Sequence, residues 1–333
     1  QGTQIVDRKV EGAGLASLHN MDDPEHLALR RIVLPHLGVV KIKQWNEVIE
    51  STVSYLLDQA QEAGGEFDLV ELVSARLPML VLSQVLGVPR EDAPRMVDWT
   101  NRLTSSDPDD RVDEAALAAT REEVLDYFRV LTRLRRENPA NDIVSVLVNG
   151  KKDGLPLTWE ELAAFYIVLV AAGNETTRHL VSGGSIALHE NPETWDRVLA
   201  DETLLPGAVE EMFRYVSPVL AMRRTATEDR ELRGEQIRKG DKVVLWFGSA
   251  NRDPEVFEDP DRFDITRHPN PHITFGWGVH FCLGTHLARA EVTGFFRQLR
   301  DRRLAFEVTG DPHRVRHNLF RGWSSIPVRV RER

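Results

Sequence analysis

The chain has 333 residues, of which 41% are hydrophobic and 28% are charged, and its formal net charge is -10 at pH 7. This length is sufficient for a large hydrophobic core. The acidic balance disfavours nucleic-acid binding, because nucleic-acid-binding proteins usually present a basic face. The longest apolar run, residues 163–173, is shorter than a membrane span. The sequence therefore predicts neither a nucleic-acid partner nor a membrane partner.

The cysteine content and the first residues bear on cellular location. Cys282 is the sole cysteine, so no internal disulfide can form and a reducing compartment, the cytoplasm, is expected. The chain begins at Gln1 and shows no signal-peptide pattern. It also begins without methionine, and we expect that the true N-terminus was processed, was clipped or lies outside this chain.

Helices are predicted over the first two-thirds of the chain. Apolar spacing and capping residues indicate them over residues 24–36, 42–63, 110–137, 158–191, 192–200 and 205–215. A further helix is expected to begin near Asp68, with Glu71 as its capping-box partner, to kink at Pro78 and to end at Gly87.

The pattern changes to short strands around residue 221. Strands are expected within residues 223–232, 235–240 and 242–247, followed by a helix over 284–301 and strands over 304–308 and 327–330. No repeat, low-complexity tract or linker divides the chain. The expected fold is mainly α with a small β portion, in a single domain over residues 1–333.

The segment FGWGVHFCLG, from Phe275 to Gly284, surrounds the sole cysteine with glycines and a histidine. Three interpretations of Cys282 compete. It could be a buried small hydrophobic residue, a zinc ligand together with His280 and His286, or a thiolate ligand of haem iron.

The neighbours of the cysteine favour the haem interpretation. Gly276 and Gly278 would let the backbone turn tightly and approach a flat ligand. The helix expected from Gly284 would direct its N–H groups at the sulfur, which stabilises a thiolate. Phe275 could pack beside the sulfur and limit the access of water.

The pattern Phe-Gly-x-Gly-x-His-x-Cys-Leu-Gly resembles the haem-binding loop of cytochrome P450 enzymes. The resemblance implies that Cys282 is the axial ligand of the iron of haem b, and that the loop with Phe275 and Gly276 holds it against the haem. It also implies a cytochrome P450 fold. In that fold an early helix, part of the sheet and part of the substrate cover would precede Gln1, so the N-terminal part is expected to be missing.

A second segment, AAGNETTRH over residues 171–179, places an acid and hydroxyl groups inside an expected helix. A solvated polar turn is one interpretation, but the flanking residues are apolar, and buried polar groups need a reason. The segment resembles the oxygen-binding groove of the same family. The resemblance implies that Ala172 and Gly173 leave room beside the iron, and that Thr176 and Glu175 handle protons.

The segment EEMFR places Glu211 and Arg214 three residues apart, a spacing that is common among surface pairs of little energetic value. In the P450 family a Glu-x-x-Arg pair is buried and is joined by an arginine from a later loop. The resemblance gives these residues a structural role, with Arg262 as the expected third member and Arg252 as the weaker candidate.

His26 and Arg30 lie four residues apart on one expected helix face, as two residues of a solvated face also could. The resemblance makes them partners of a haem propionate, and imidazole and guanidinium groups do donate strong hydrogen bonds to carboxylates. Arg224, rather than Arg223, and His280 match the other propionate partners.

Taken together, the resemblance implies a soluble, bacterial-type haem-thiolate monooxygenase that inserts one atom of O2 into a C–H bond. Apolar turns around Leu169 and residues 218–222 indicate an apolar substrate, and the C-terminal segment is similar to relatives that oxidise lipids, sterols or terpenoids. Electrons would come from a ferredoxin or flavodoxin with its reductase, docked near Arg289 and Arg297. A peroxide-driven peroxygenase and a haem-binding protein without turnover are the alternatives.

Overall fold

The computed structural model describes residues 17–104 and 114–333. Twelve α-helices lie within these ranges and form most of this part of the molecule. They are α1 Glu25–Val33, α2 Val39–Ile42, α3 Asn46–Glu62, α4 Arg76–Leu86, α5 Ala93–Thr104, α6 Glu114–Glu137, α7 Ile143–Asn149, α8 Trp159–Glu190, α9 Pro192–Ala200, α10 Leu205–Val216, α11 Phe247–Ala250 and α12 Thr285–Asp301.

The strands are short and pair in small antiparallel sheets. They are β1 Phe67–Asp68, β2 Lys151–Lys152, β3 Leu155–Pro156, β4 Ala221–Thr225, β5 Arg230–Leu232, β6 Glu235–Ile237, β7 Lys242–Trp246, β8 Leu304–Val308, β9 His313–Arg314, β10 Trp323–Ser325 and β11 Pro327–Glu332. One sheet has the order β1–β11–β8, and β2 pairs with β3, β4 with β7, β5 with β6 and β9 with β10. The expectation of a mainly α fold with a small β portion is confirmed.

Several predicted boundaries are confirmed by capping contacts. The carboxylate of Asp68 accepts hydrogen bonds from the backbone N–H groups of Val70 and Glu71, at 2.7 and 3.0 Å. Gly87 ends α4 in the left-handed conformation, at φ 82°, which glycine adopts without steric cost. The predicted helix over 110–137 is described from Glu114, and its first residues lie outside the described ranges.

The kink predicted at Pro78 is wrong in position. The chain forms a π-type turn over Val70–Ser74, and α4 then starts at Arg76. Pro78 therefore lies in the first turn of a new helix, where a missing N–H donor costs little. The irregularity falls one turn earlier, because proline cannot donate to the carbonyl four residues before it.

Helix α8 is the central element of the core. Its 32 residues span about 48 Å at the usual rise of 1.5 Å per residue, and a capping box between Thr158 and Glu161 begins it as predicted. Helices α4, α5, α6, α10 and α12 pack against it. Gly184 allows two of these contacts, since a Cβ there would lie 2.9 Å from both Met212 and Phe296.

A fully buried ion pair joins α10 to the long loop that follows α11. Glu211 and Arg214 are both inaccessible to solvent and make two hydrogen bonds of 2.7 and 2.8 Å to each other. The guanidinium of Arg214 also donates to the carbonyl oxygens of Asn251, Pro260 and Arg262, at 2.7–2.9 Å. One side chain thereby supplies donors to three carbonyl groups of the loop.

The expected third arginine of this cluster is corrected to Arg267. Its Nε atom lies 3.4 Å from a carboxylate oxygen of Glu211. Arg262 contributes only its carbonyl oxygen to Arg214. Arg252 pairs instead with Asp261, at 2.6 Å. At residue 262 the backbone of the loop, and not the side chain, faces Arg214. The arginine side chain that reaches Glu211 is therefore that of Arg267, five residues later.

We expect Arg214→Ala to destabilise the protein by about 3–5 kcal/mol, because it leaves the Glu211 carboxylate buried without its partner. Arg262→Ala is the matched control, since its side chain does not contribute to the pair, and it should change stability by less than about 0.5 kcal/mol. Urea unfolding measures both values. An equal loss in the two variants would contradict the assignment of Arg267.

Candidate active site

The loop before α12 is shaped by two glycines. Gly276 and Gly278 have φ values of 73° and 74°, a region that side-chain-bearing residues rarely adopt. No atom lies within 4 Å of the position where a Cβ would be at either residue, so the backbone borders open space. The N–H group of Cys282 donates to the carbonyl of Phe275, at 2.9 Å, and closes the loop.

Burial and nearby positive groups act in opposite directions on the pKa of the Cys282 thiol, and burial has the larger effect. The side chain is exposed to solvent, but the protein packed around it raises the pKa of the thiol by desolvation. The backbone N–H of Gly284, at the start of α12, and the guanidinium groups of Arg30 and Arg289 act in the opposite direction. A positive ligand at the sulfur would complete this arrangement in favour of the thiolate.

Phe275 is braced by an arginine that the sequence analysis assigned to another role. The guanidinium of Arg289 lies 4.5 Å from the centre of the Phe275 ring and forms hydrogen bonds of 2.6 and 2.9 Å with Glu210. Burial raises the pKa of Glu210, but Arg289 and His272 outweigh it and lower that pKa to about 2. The ionised Glu210 thus anchors Arg289 behind the loop.

The expected basic patch on α12 is largely neutralised. Arg289 pairs with Glu210, and Arg297 pairs with Glu50 of α3. Neither arginine therefore presents an unpaired charge on this helix.

The four predicted propionate partners lie in one cluster. The rings of His26 and His280 have centroids 4.2 Å apart. Burial lowers the pKa of His280, and the nearby His26, Arg224 and Arg30 lower it further. Arg30 also donates a hydrogen bond to the carbonyl oxygen of Phe281, which precedes the cysteine. Guanidinium and imidazole N–H donors held this close to each other suit a ligand with carboxylate groups.

Strand alternation separates the two candidate arginines of β4. Arg223 is 2% exposed, whereas Arg224 faces the opposite side and is exposed. Because Arg224 is the arginine that acts on His280, it is the one that lies with the cluster. The choice of Arg224 over Arg223 agrees with this placement.

The donor set fits a haem better than zinc. Within the described residues no group of three or more His, Cys, Asp or Glu side chains could hold a metal ion. The single sulfur suits the thiolate ligand of a haem, and the open space beside Gly276 and Gly278 suits its flat face. The cluster of arginine and histidine side chains suits its propionates.

One face of α8 is open in an otherwise buried helix. Ala172 is exposed, and the hydroxyl of Thr176 donates to its carbonyl oxygen at 3.3 Å. Leu169, three residues before Ala172, is half-buried on the same face. Gly173 has another function, since a Cβ there would lie 2.5 Å from Leu82 of α4. Its small size therefore permits helix packing, and the expectation that it also makes room in the groove stays a prediction.

Glu175 lies beside this face, next to an arginine and a histidine of its own helix. It is 6% exposed. Its carboxylate oxygens lie 3.0 Å from Arg178 and 3.1 Å from His179. Sequence reasoning missed both contacts, although the spacings i, i+3 and i, i+4 in AAGNETTRH could have indicated them.

Comparison with known proteins agrees with this geometry. The family model "Cytochrome P450" matches residues 12–314, and the chain belongs to this family. The family binds haem b through a cysteine thiolate, and the chain is a cytochrome P450 monooxygenase, an oxidoreductase.

Individual relatives cover most of the chain. It is 39% identical to the methyl-branched lipid omega-hydroxylase of Mycobacterium tuberculosis, over 92% of this chain and 73% of that protein. It is 38% identical to the steroid C26-monooxygenase of Mycolicibacterium smegmatis, over 95% and 79%. The structure of Mycobacterium marinum cytochrome P450 CYP268A2 in complex with pseudoionone superposes with a TM-score of 0.89, at 37% identity, over 94% and 77%.

A search for membrane spans gave a negative result. Over residues 17–104 and 114–333, no helix combines the length and the apolar character that crossing a bilayer requires.

Removal of a propionate partner should weaken haem retention. We expect Arg30→Ala to lose a charge-assisted hydrogen bond of about 1.5–3 kcal/mol, which corresponds to roughly 10-fold to 10²-fold faster haem loss or weaker binding. The adjacent Arg31→Ala is the control, because residue 31 lies on another face of α1. Haem transfer to apomyoglobin measures the difference, and equal retention in the two variants would contradict the assignment.

Proposed function

We propose that Cys282 is the axial thiolate ligand of haem iron, and that His26, Arg30, Arg224 and His280 hold the haem propionates. The observation that carries the proposal is the surroundings of the sole cysteine. Its loop has two glycines beside open space, and the Gly284 N–H and the guanidinium groups of Arg30 and Arg289 lower the pKa of the thiol against the larger upward effect of burial. When bound, the haem supplies oxygen-activating chemistry, and a thiolate ligand favours O–O cleavage.

Thr176 and Glu175 are the proposed proton-handling residues. The Thr176 hydroxyl can both accept and donate a proton, and it lies at the open face of α8 with Ala172 beside it. Glu175 is the nearest acid in sequence, and a positioned acid or base typically contributes about 10²–10⁴-fold to the rate. In this proposal, Glu175 passes protons from solvent towards Oγ1 of Thr176.

The proposed substrate is an apolar small molecule. Half-buried apolar side chains at Leu169, Val219, Leu220 and Met222 support this choice. Two relatives carry names that refer to a methyl-branched lipid and a steroid. A lipid, sterol or terpenoid-like molecule is therefore the proposed class.

The proposed electron source is a ferredoxin or flavodoxin with its reductase, as bacterial members of the family use ferredoxin-type partners. The cytoplasm is the proposed location, supported by the single cysteine of the chain. We also propose one domain, since one cluster of buried apolar side chains runs from Leu29 to Val328.

A spectrum tests the iron ligand. The reduced, carbon monoxide-bound protein should show the red-shifted Soret band of a thiolate haem, and Cys282→Ser should abolish it. His286→Ala is the control, because residue 286 would matter only for the zinc interpretation. A band that persists in Cys282→Ser would refute the assignment of the ligand.

Coupling tests the proton residues. We expect Thr176→Ala to bind haem normally and consume reducing equivalents, but to divert them to hydrogen peroxide, because the last hydroxyl donor is absent. Glu175→Gln should slow turnover more than it uncouples it. Ser185→Ala is the control, because it removes a hydroxyl of the same helix that donates to the carbonyl oxygen of Val181 and lies nine residues from Thr176. Product per reducing equivalent, with peroxide counted, measures the effect, and wild-type coupling in Thr176→Ala would contradict the role.

The same assay separates the alternatives. A monooxygenase turns over with a ferredoxin system and O2, a peroxygenase turns over preferentially with hydrogen peroxide, and a haem-binding protein does neither. The presence of both Glu175 and Thr176 favours the first, since peroxygenases usually lack the acid–alcohol pair.

A further inference from the structure

Two side chains of its own helix lie against the carboxylate of Glu175. Nη1 of Arg178 donates to Oε1 at 3.0 Å, and Nε2 of His179 lies 3.1 Å from Oε2. Arg178 is itself held by the side-chain oxygen of Asn101 on α5, at 3.1 Å. His179 is fully buried, so its ring cannot be replaced by water at the carboxylate without rearrangement.

The ring of His179 is confined by the backbone of the C-terminal segment. A Cβ at Gly322 would lie 2.0 Å from Nδ1 and 2.1 Å from Cγ of His179, far inside contact distance. The ring of Phe320 lies on another side, with its centroid 6.0 Å from that of His179. The backbone of Gly322 is not in the left-handed conformation that favours glycine. Glycine is needed at residue 322 because the imidazole of His179 occupies the space that a Cβ would take.

We propose that His179 is a positioning residue for Glu175, and that the backbone at Gly322 acts as a wall that keeps the imidazole against the carboxylate. This inference rests on the proposed proton-handling role of Glu175. It assigns a function to a histidine and a glycine 143 positions apart in the sequence.

The charges around the pair explain what the positioning achieves. Burial raises the pKa of Glu175, but the adjacent His179 and Arg178 outweigh it and keep that pKa below its ordinary value. Three groups on other elements contact Arg178 or His179, namely Asn101, Phe320 and Gly322, and none of the three carries a charge. An ionised carboxylate held beside Thr176 can accept a proton from water and return it towards the Thr176 hydroxyl.

The first test replaces the histidine. His179→Phe keeps a ring of similar shape but removes the ring nitrogen that faces the carboxylate, and we expect turnover to fall on the order of 10-fold to 10²-fold, the scale of a misplaced catalytic group. His179→Gln keeps a polar group near the carboxylate and should recover part of the loss. His189→Gln is the control, because His189 is exposed near the end of the same helix.

The pH profile separates positioning from a general loss of structure. The ionised form of Glu175 is present above its pKa in the folded protein and is lost as the pH falls through that value. Without His179, burial is opposed by Arg178 alone, so the pKa rises and the acid limb of the turnover profile should move to higher pH. A carboxyl-¹³C titration of Glu175 in the carbon monoxide-bound protein should show the same upward shift without relying on activity.

The second test alters the wall. Gly322→Ala should displace the imidazole and reproduce the changed pH profile of His179→Phe, and combining the two substitutions should add little. Gly65→Ala is the control, since a Cβ there meets only ordinary contacts. If His179→Phe keeps the wild-type acid limb and the wild-type titration of Glu175, the positioning role of His179 is refuted. If Gly322→Ala keeps the wild-type pH profile, the role of the Gly322 backbone in confining the imidazole is refuted.

The outcomes also distinguish this inference from the proposed function. If Glu175→Gln slows turnover but His179→Phe does not, the positioning role fails while the function of Glu175 stands. If Glu175→Gln itself turns over as the wild type does, the proposed proton path fails first.

Discussion

The buried pair of Glu211 and Arg214 is the interaction on which the geometry of the cysteine loop depends. Much of the chain between α11 and α12 lacks regular hydrogen bonding, and buried carbonyl groups there need donors. Arg214 supplies three of them, and Glu211 accepts from the backbone N–H of Asp264 at 2.9 Å. Asn251, whose carbonyl binds Arg214, also bonds to Thr274 through its side chain. The network thus reaches Thr274, one residue before Phe275, and it holds the backbone where the cysteine loop begins.

The cysteine loop is then held from two further sides by charged groups. On one side, Arg30 of α1 donates to the carbonyl of Phe281. On the other, Arg289 of α12 lies against the ring of Phe275 and is anchored by Glu210. Both guanidinium groups act on the pKa of Cys282 in the same direction. The side chains that position the loop therefore also lower the pKa of the Cys282 thiol against the effect of burial, as the proposed role of iron ligand requires.

Local signals predicted the elements of this protein better than its long-range partners. The Thr158 capping box and the left-handed Gly87 depend on a few adjacent residues, and both are confirmed. Helix α7 was not predicted, because its seven residues are too few to show a helical period. Arg267 was not chosen as the partner of Glu211, because 56 residues separate the two and only the path of the loop decides which arginine arrives. The clustering of His26 with His280 has no local signal, and only the family resemblance supplied it.

The segment AAGNETTRH shows how one helix combines packing with chemistry. Successive residues of an α-helix point about 100° apart, so neighbours in sequence face different surroundings. Gly173 packs against Leu82 of α4, and Glu175 turns towards Arg178 and His179. Thr176 shares the open face with Ala172. Burial raises the pKa of Glu291 of α12 well above its ordinary value, and the side chain of Thr177 acts on it in the opposite direction. The segment thus divides among the open face, the group of Glu175, Arg178 and His179, and the core. A substitution at one of these positions tests one function only when a second substitution on the same helix, away from these contacts, serves as the control.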